Sequence, residues 1–189
     1  MILDIVTVRE DSNSGELQIT RNGRAVGEIK FQKQPVSTVW QVNFGERELT
    51  VSDNTNRATT DMISAFQIDV NGTFAGVAYQ VHSGTLFNKY DIYELRYQSL
   101  PYQLYPIAPS DCKALPVFYG NWQVASVEHD TTETGLARKG QILAEDDKAA
   151  IVALIFFCYT RSNAKPLVSV TNKKLLGKID RAFPGRVKP

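Results

Sequence analysis

The sequence predicts an all-β domain that encloses one hydrophobic helix. Up to about residue 143, short segments alternate apolar and polar residues and are separated by Gly, Asn, Asp, Ser and Pro, as in half-buried antiparallel strands. The period then changes, and residues 149–159 form an unbroken apolar run. A chain of 189 residues, 43% of them hydrophobic, fits one domain that buries its core without disulfides or a structural metal.

The segment Trp40–Phe44 is typical of the predicted strands. Trp40, Val42 and Phe44 alternate with Gln41 and Asn43, so a strand places the large side chains on the core face and the amides on the other. The segment Phe66–Val70 repeats this pattern, and Asn71–Gly72 then predicts a tight hairpin turn, because both residues tolerate positive φ. Asn22–Gly23 and Gly120–Asn121 open similar hairpins, so we expect a meander.

The apolar run after Asp147 is interpreted as a helix near residues 146–160. Asp146 caps free amides at its start and Arg161 follows its end, which suits the helix dipole. At about 1.5 Å per residue the run spans about 17 Å, too short to cross a bilayer, so protein must enclose it. A central β-strand is the alternative, because Ile, Val and Phe also favour strands.

The first residues predict a cytoplasmic protein. Met1–Val6 has no basic start and contains Asp4 in its short apolar stretch, unlike a secretory signal. The spacing of Cys112 and Cys158 indicates no metal clip or redox pair, so both are expected to be reduced thiols.

Charge is divided unevenly along the chain. Residues 161–189 hold eight Lys and Arg and one Asp, a net charge of +7. Residues 1–160 keep 13 basic and 19 acidic residues, a net charge of −6, although the whole chain is only +1. The basic segment is therefore the most informative polar feature.

A helix over residues 173–183 would be amphipathic. Its apolar side is Leu175, Leu176, Ile179 and Phe183, and Lys174, Lys178 and Arg181 lie opposite, with Lys173 beside them. Such a helix can lie on an anionic membrane, with Gly177 weakening it. Alternatively, it docks on the acidic body of its own chain or orders only on a partner. Nucleic acid is disfavoured because the body is acidic.

Catalytic signals are weak. The thiol candidates are Cys112 and Cys158, with His82 or His129 as bases, and Cys158 is expected to be buried and inert. Both histidines are interpreted as surface residues, and their spacing makes a poor metal site. Carboxylates such as Glu46, Glu48, Asp61 and Asp69 are scattered, and the glycines form no phosphate loop, so we predict no enzyme, metal or cofactor.

The second half of the chain resembles the tubby C-terminal-like superfamily, which includes bacterial tubby-like and LURP-one-related domains. The resemblance rests on the tyrosine-rich Tyr90–Tyr97, then Leu115–Tyr119, Val124–His129 and the helix after Asp147. It implies a closed antiparallel barrel of about 10–12 strands around the helix, with an open sandwich plus packed helix as the alternative. His129 stands where such sequences often carry Lys, and the basic segment extends past the helix that usually ends the domain.

In tubby itself, basic side chains on the barrel bind phosphoinositide head groups, but those positions have no match here. We therefore expect a barrel domain over residues 1–162 and a basic tail over 163–189. The expected function is a non-enzymatic module that binds anionic phospholipid at the inner face of a membrane through the tail. The candidate lipid-binding residues are Lys173, Lys174, Lys178, Arg181, Leu175, Ile179 and Phe183. The alternative is a protein-interaction module whose tail docks on an acidic partner.

Overall fold

The computed structural model describes residues 1–35, 37–53, 65–85, 88–105, 114–131 and 137–162. Those ranges contain twelve β-strands followed by one α-helix. In chain order they are β1 (Ile2–Glu10), β2 (Ser14–Arg21), β3 (Arg24–Gln34), β4 (Ser37–Phe44), β5 (Arg47–Asp53), β6 (Ala65–Val70), β7 (Thr73–Thr85), β8 (Asn88–Tyr97), β9 (Leu100–Leu104), β10 (Ala114–Tyr119), β11 (Trp122–Thr131), β12 (Ala137–Ala144) and α1 (Asp147–Ser162).

The strands form one closed antiparallel barrel. Each strand pairs with its neighbours in sequence, and β1 pairs with β12 to close the ring, with Ile5 opposite Gly140. An even number of strands lets an antiparallel meander close without a parallel pair. The predicted barrel around a helix is confirmed, and the open-sandwich alternative is wrong.

The alternation predicted for Trp40–Phe44 is confirmed in β4. Trp40 and Val42 are buried, whereas Gln41 and Asn43 are exposed, and Phe44 is partly buried against the core. The inward-facing side chains of the other strands continue this apolar lining around the ring. The barrel interior is therefore a packed core.

The helix α1 fills the barrel. Every residue from 149 to 159 is at most 5% exposed. The ring of Tyr159 lies 4.5 Å from that of Phe66 on β6 and 5.0 Å from that of Tyr93 on β8, both edge-on. Phe157 packs on Gly140 of β12, where an added Cβ would overlap its ring. Since the helix touches separate parts of the wall, its run is apolar on every face, and the central-strand alternative is wrong.

The ends of α1 follow the predicted signals. The backbone N–H of Ala149 donates to Asp146 Oδ1 at 2.7 Å, which caps the first turn. Asp147 lies in the first turn and Arg161 in the last. The helix ends at Ser162, two residues beyond the predicted end.

The two ends of the barrel have different connections. One end carries the two-residue turns 22–23, 45–46, 71–72, 98–99 and 120–121, together with the start of α1, and we call it the tight-turn end. The opposite end, where α1 finishes, is the helix-exit end. Asn71 and Gly72 have φ values of 50° and 74°, so the predicted hairpin is confirmed.

Candidate functional site

A polar groove of about 310 Å³ lies on the outer wall of β1–β4, towards the helix-exit end. Its charged lining residues are the cations Arg9 and Lys30. The remaining lining residues are Ser14, Gly15, Phe31, Gln32, Gln34, Val39 and Gln41. Guanidinium, ammonium, amide and hydroxyl groups donate hydrogen bonds, so the lining suits an anionic oxygen ligand.

Neighbouring carboxylates pair with the two groove cations. Arg9 Nε lies 3.0 Å from Glu16 Oε2, and Lys30 Nζ lies 2.9 Å from Glu28 Oε1. The bonds from Lys30 and Asn43 hold the pKa of Glu28 below its ordinary value, and Glu28 raises the pKa of Lys30. The Arg9 side chain is 78% exposed, so such pairs are weak and an incoming anion can exchange with them.

A buried ion pair lies beside the groove, at the mouth of the barrel. Arg161 Nη2 donates to Glu10 Oε2 at 2.8 Å, and the two side chains are only 7% and 16% exposed. The Arg161 guanidinium carbon lies 5.9 Å from the centre of the Phe31 ring, which in turn packs on Trp40 at 4.6 Å. These contacts fix the end of α1 to β1 and β3, so the chain leaves the barrel at this end.

Several buried polar atoms within the described residues have no hydrogen-bond partner. They include Thr7 Oγ1 and Asp53 Oδ1, near the helix-exit ends of β1 and β5, and Gln80 Nε2 on β7. Burial raises the pKa of the Asp53 carboxyl. The fourth such atom is Tyr97 Oη, on the last residue of β8 beside the turn 98–99, so these atoms occur towards both ends of the barrel and mark neither end as a site.

Exposed aromatic side chains lie at the tight-turn end. Trp122 is 78% exposed, Phe74 56% and Tyr119 40%. Tyr119 and Trp122 flank the turn 120–121, and the Tyr119 ring lies 5.3 Å from that of Tyr102. These three residues are not among the predicted site residues. Their positions beside two-residue turns are the sequence signal for their exposure, since turn flanks have few core neighbours.

The predicted lipid-binding residues lie outside the described residues. The same holds for Cys112, Asp61 and the whole tail. The seven candidates are Lys173, Lys174, Lys178, Arg181, Leu175, Ile179 and Phe183. Since α1 ends at Ser162, the tail starts at the helix-exit end, the end towards which the groove lies.

The described catalytic candidates give no reactive centre. Cys158 is fully buried, and burial raises the pKa of its thiol, against a smaller lowering by Arg161. His82 and His129 belong to β7 and β11, but their side chains lie outside what the structure describes. Among the described residues, no three His, Cys, Asp or Glu side chains gather as a metal site would need.

Comparison with known proteins leaves the family undetermined. No protein-family model, no curated protein and no solved structure matches this chain. Within the described ranges, no helix combines the length and hydrophobicity required to span a membrane.

Proposed function

We propose that this protein is a non-enzymatic module that binds anionic phospholipid head groups, as a cytoplasmic protein held peripherally at the inner face of a membrane. The observation that carries the proposal is the end of α1. The Arg161–Glu10 pair fixes it beside the groove that contains Arg9 and Lys30. The tail, with its net positive charge, starts from that same end.

In this mechanism the groove and the tail act together. Arg9 and Lys30 bind phosphate oxygens, and the groove amides add neutral donors. Lys173, Lys174, Lys178 and Arg181 attract the anionic surface, each contributing about 1 kcal/mol that salt screens. Leu175, Ile179 and Phe183 enter the interface. The rigid barrel is the platform that presents both parts to one plane.

The experiment is flotation of the full chain with phosphatidylcholine vesicles, with and without phosphatidylserine, at low and physiological salt. The test variant is K174Q/K178Q/R181Q. The matched control, R21Q/R24Q/R47Q, removes the same charge from exposed arginines at the tight-turn end. Arg21 and Arg24 lie directly opposite each other, so removing that repulsion does not harm the fold.

We expect the parent and control chains to float only with anionic vesicles and less at higher salt, whereas the tail variant stays in solution. Equal flotation of the tail and control variants contradicts the role of the tail. If no chain floats, lipid binding is wrong, and the basic tail instead favours the alternative of an acidic protein partner. That alternative predicts a partner that co-purifies in detergent with the parent chain but not with the tail variant.

A further inference from the structure

The exposed aromatic side chains at the tight-turn end lie on two hairpins of the same rim of the barrel. Phe74 lies at the β6–β7 hairpin and Tyr119 and Trp122 at the β10–β11 hairpin, with the turn 98–99 between them around the ring. Glu145–Asp147, three exposed carboxylates, follow at the start of α1. We call this set the aromatic arc. It combines an apolar floor with an acidic edge.

Contacts join the acidic edge to the aromatic floor. The backbone N–H of Glu145 donates to the carbonyl of Val124 at 3.1 Å, two residues from Trp122. Burial raises the pKa of Tyr102, which packs on Tyr119, and the nearby Tyr119 and Asp146 raise it further. Asp146 therefore lies close enough to the Tyr102–Tyr119 pair to act on it electrostatically.

The middle of the arc contains a strained turn. Gln98 and Ser99 have φ values of 49° and 64°, a region that favours glycine. They line a pocket of about 380 Å³ together with Phe74. A two-residue hairpin turn requires positive φ at these positions, so Gln98 and Ser99 bear a cost that the Asn–Gly turns avoid.

We propose that the aromatic arc is the docking surface for residues 173–183 of the same chain when no membrane is present. The apolar stripe of Leu175, Ile179 and Phe183 matches the aromatic floor, and Lys174, Lys178 and Arg181 match the carboxylate edge. Lys and Arg also stack on exposed Trp and Tyr rings. This inference rests on the proposed function and adds a regulated resting state to it.

The length of a helix over residues 173–183 matches the width of the aromatic arc, and the preceding residues are long enough to reach it. A helix of 11 residues is about 16 Å long, and four strand spacings, from β7 to β11, are about 19 Å. The distance from one end of α1 to the other is about 24 Å for its 16 residues. Ten residues separate Ser162 from Lys173, and extended they reach about 35 Å, enough to run along the barrel.

Charge favours the tail over a bilayer as occupant of the arc. The carboxylates beside Trp122 repel anionic head groups, but they attract a segment with seven basic residues and one acid in positions 163–189. Anionic lipid then competes with the arc for the same cations. Docking thus lowers the affinity for lipid, and a vesicle surface releases the segment.

Tryptophan fluorescence tests this proposal on the full chain. The protein has two tryptophans, of which Trp40 is 2% exposed and Trp122 is 78% exposed. Acrylamide quenching therefore reports on Trp122. At low salt we expect K174Q/K178Q/R181Q to be quenched about twofold more strongly than the parent chain, a difference that high salt removes by screening. The R21Q/R24Q/R47Q control, on the other half of the same end, should match the parent.

A second variant tests the arc itself. E145Q/D147N spares the capping residue Asp146 and should expose Trp122 as the tail variant does, while binding phosphatidylserine vesicles more tightly than the parent. Equal quenching of the parent and tail-variant chains overturns the proposal. Protection that grows with protein concentration also overturns it, since a second copy is then the occupant. If Trp122 is protected in the parent chain but the chain does not bind vesicles, docking is supported and the proposed lipid function is wrong. Failure of docking and failure of the lipid function are therefore distinguishable.

Discussion

The two ends of this barrel achieve closure by different means. At the tight-turn end, five successive hairpins turn in two residues, with backbone conformations suited to the twist of paired strands. At the helix-exit end, β1 and the last turn of α1 meet through a buried ion pair between Glu10 and Arg161. One end is held by local turn geometry, and the other by contacts between residues far apart in sequence.

The two ends also differ in how far their structure depends on charged contacts. Local turns specify strand register before the barrel closes, so the tight-turn end needs no charged contact for its structure. The helix-exit end retains polar groups that a purely structural design would replace with apolar ones. The helix-exit end therefore presents the proposed lipid groove, and the tight-turn end presents the proposed docking surface of the resting state.

Breaking the ion pair should have the largest effect. Arg161→Leu leaves Glu10 charged and mostly buried, which we expect to cost about 3 kcal/mol of unfolding free energy, because an unpaired buried charge is strongly unfavourable. Urea denaturation followed by circular dichroism measures it. The double variant Glu10→Leu/Arg161→Leu should recover most of the loss, and a double variant as unstable as the single one would show that packing, not charge, dominates.

Relieving the strained turn should stabilise the opposite end. Gln98→Asn/Ser99→Gly replaces two side chains at positive φ with residues that favour that conformation, so we expect a gain of about 1 kcal/mol. The control is Gly72→Ala in a turn that already has the favoured sequence, which should lose about 1 kcal/mol. Thermal unfolding distinguishes these opposite signs, and a loss in the first variant would mean that the Gln98 or Ser99 side chain makes a stabilising contact.

Removing a groove cation should change stability little. Arg9→Gln deletes a pair with Glu16 whose arginine is 78% exposed, and we expect a loss of about 0.2–1 kcal/mol. Its vesicle binding should nevertheless fall, because the groove loses a phosphate donor. Wild-type vesicle binding in Arg9→Gln would exclude the groove from the lipid site and leave the tail as the sole contact.

The Asp53 carboxyl should give a small, pH-dependent effect. Burial raises its pKa above the ordinary value of 3.8, so the folded state disfavours the ionised form. That penalty is absent below the unfolded pKa and is complete once the pH exceeds the folded pKa. Asp53→Asn should therefore stabilise the protein near pH 7 and lose this advantage as the pH falls towards 4. If Asp53→Asn changes stability equally at all pH values, the change comes from contacts of the new amide and not from the cost of ionising a buried carboxyl.

Sequence reasoning works best where structure is local. The Asn22–Gly23 and Asn71–Gly72 turns, the alternation around Trp40 and the capping of α1 by Asp146 all follow from neighbouring residues. Enclosure of the helix follows from a run that is apolar on every face. The closed barrel, by contrast, is what the resemblance of the second half implies, and the structure has it.

The rest depends on contacts that no local pattern encodes. Glu10 and Arg161 are 151 positions apart, and the β1–β12 pairing that closes the ring has a similar separation. The turn at Gln98–Ser99 lacks a glycine or asparagine, and three paired strands, β1 to β3, are needed to bring Arg9 and Lys30 to one groove. The tail residues, the core of the sequence-based site, lie outside the described residues and stay a prediction.

The most direct measurement asks which end of the barrel faces the bilayer. In a Cys112→Ser background, where the remaining Cys158 is buried, a fluorescent label is attached through Ser12→Cys at the helix-exit end or Asn22→Cys at the tight-turn end, both exposed positions outside the groove. Each full chain is bound to phosphatidylserine vesicles that carry nitroxide on their head groups. We predict quenching of the label at position 12 and little at position 22. Stronger quenching at position 22 would contradict this prediction.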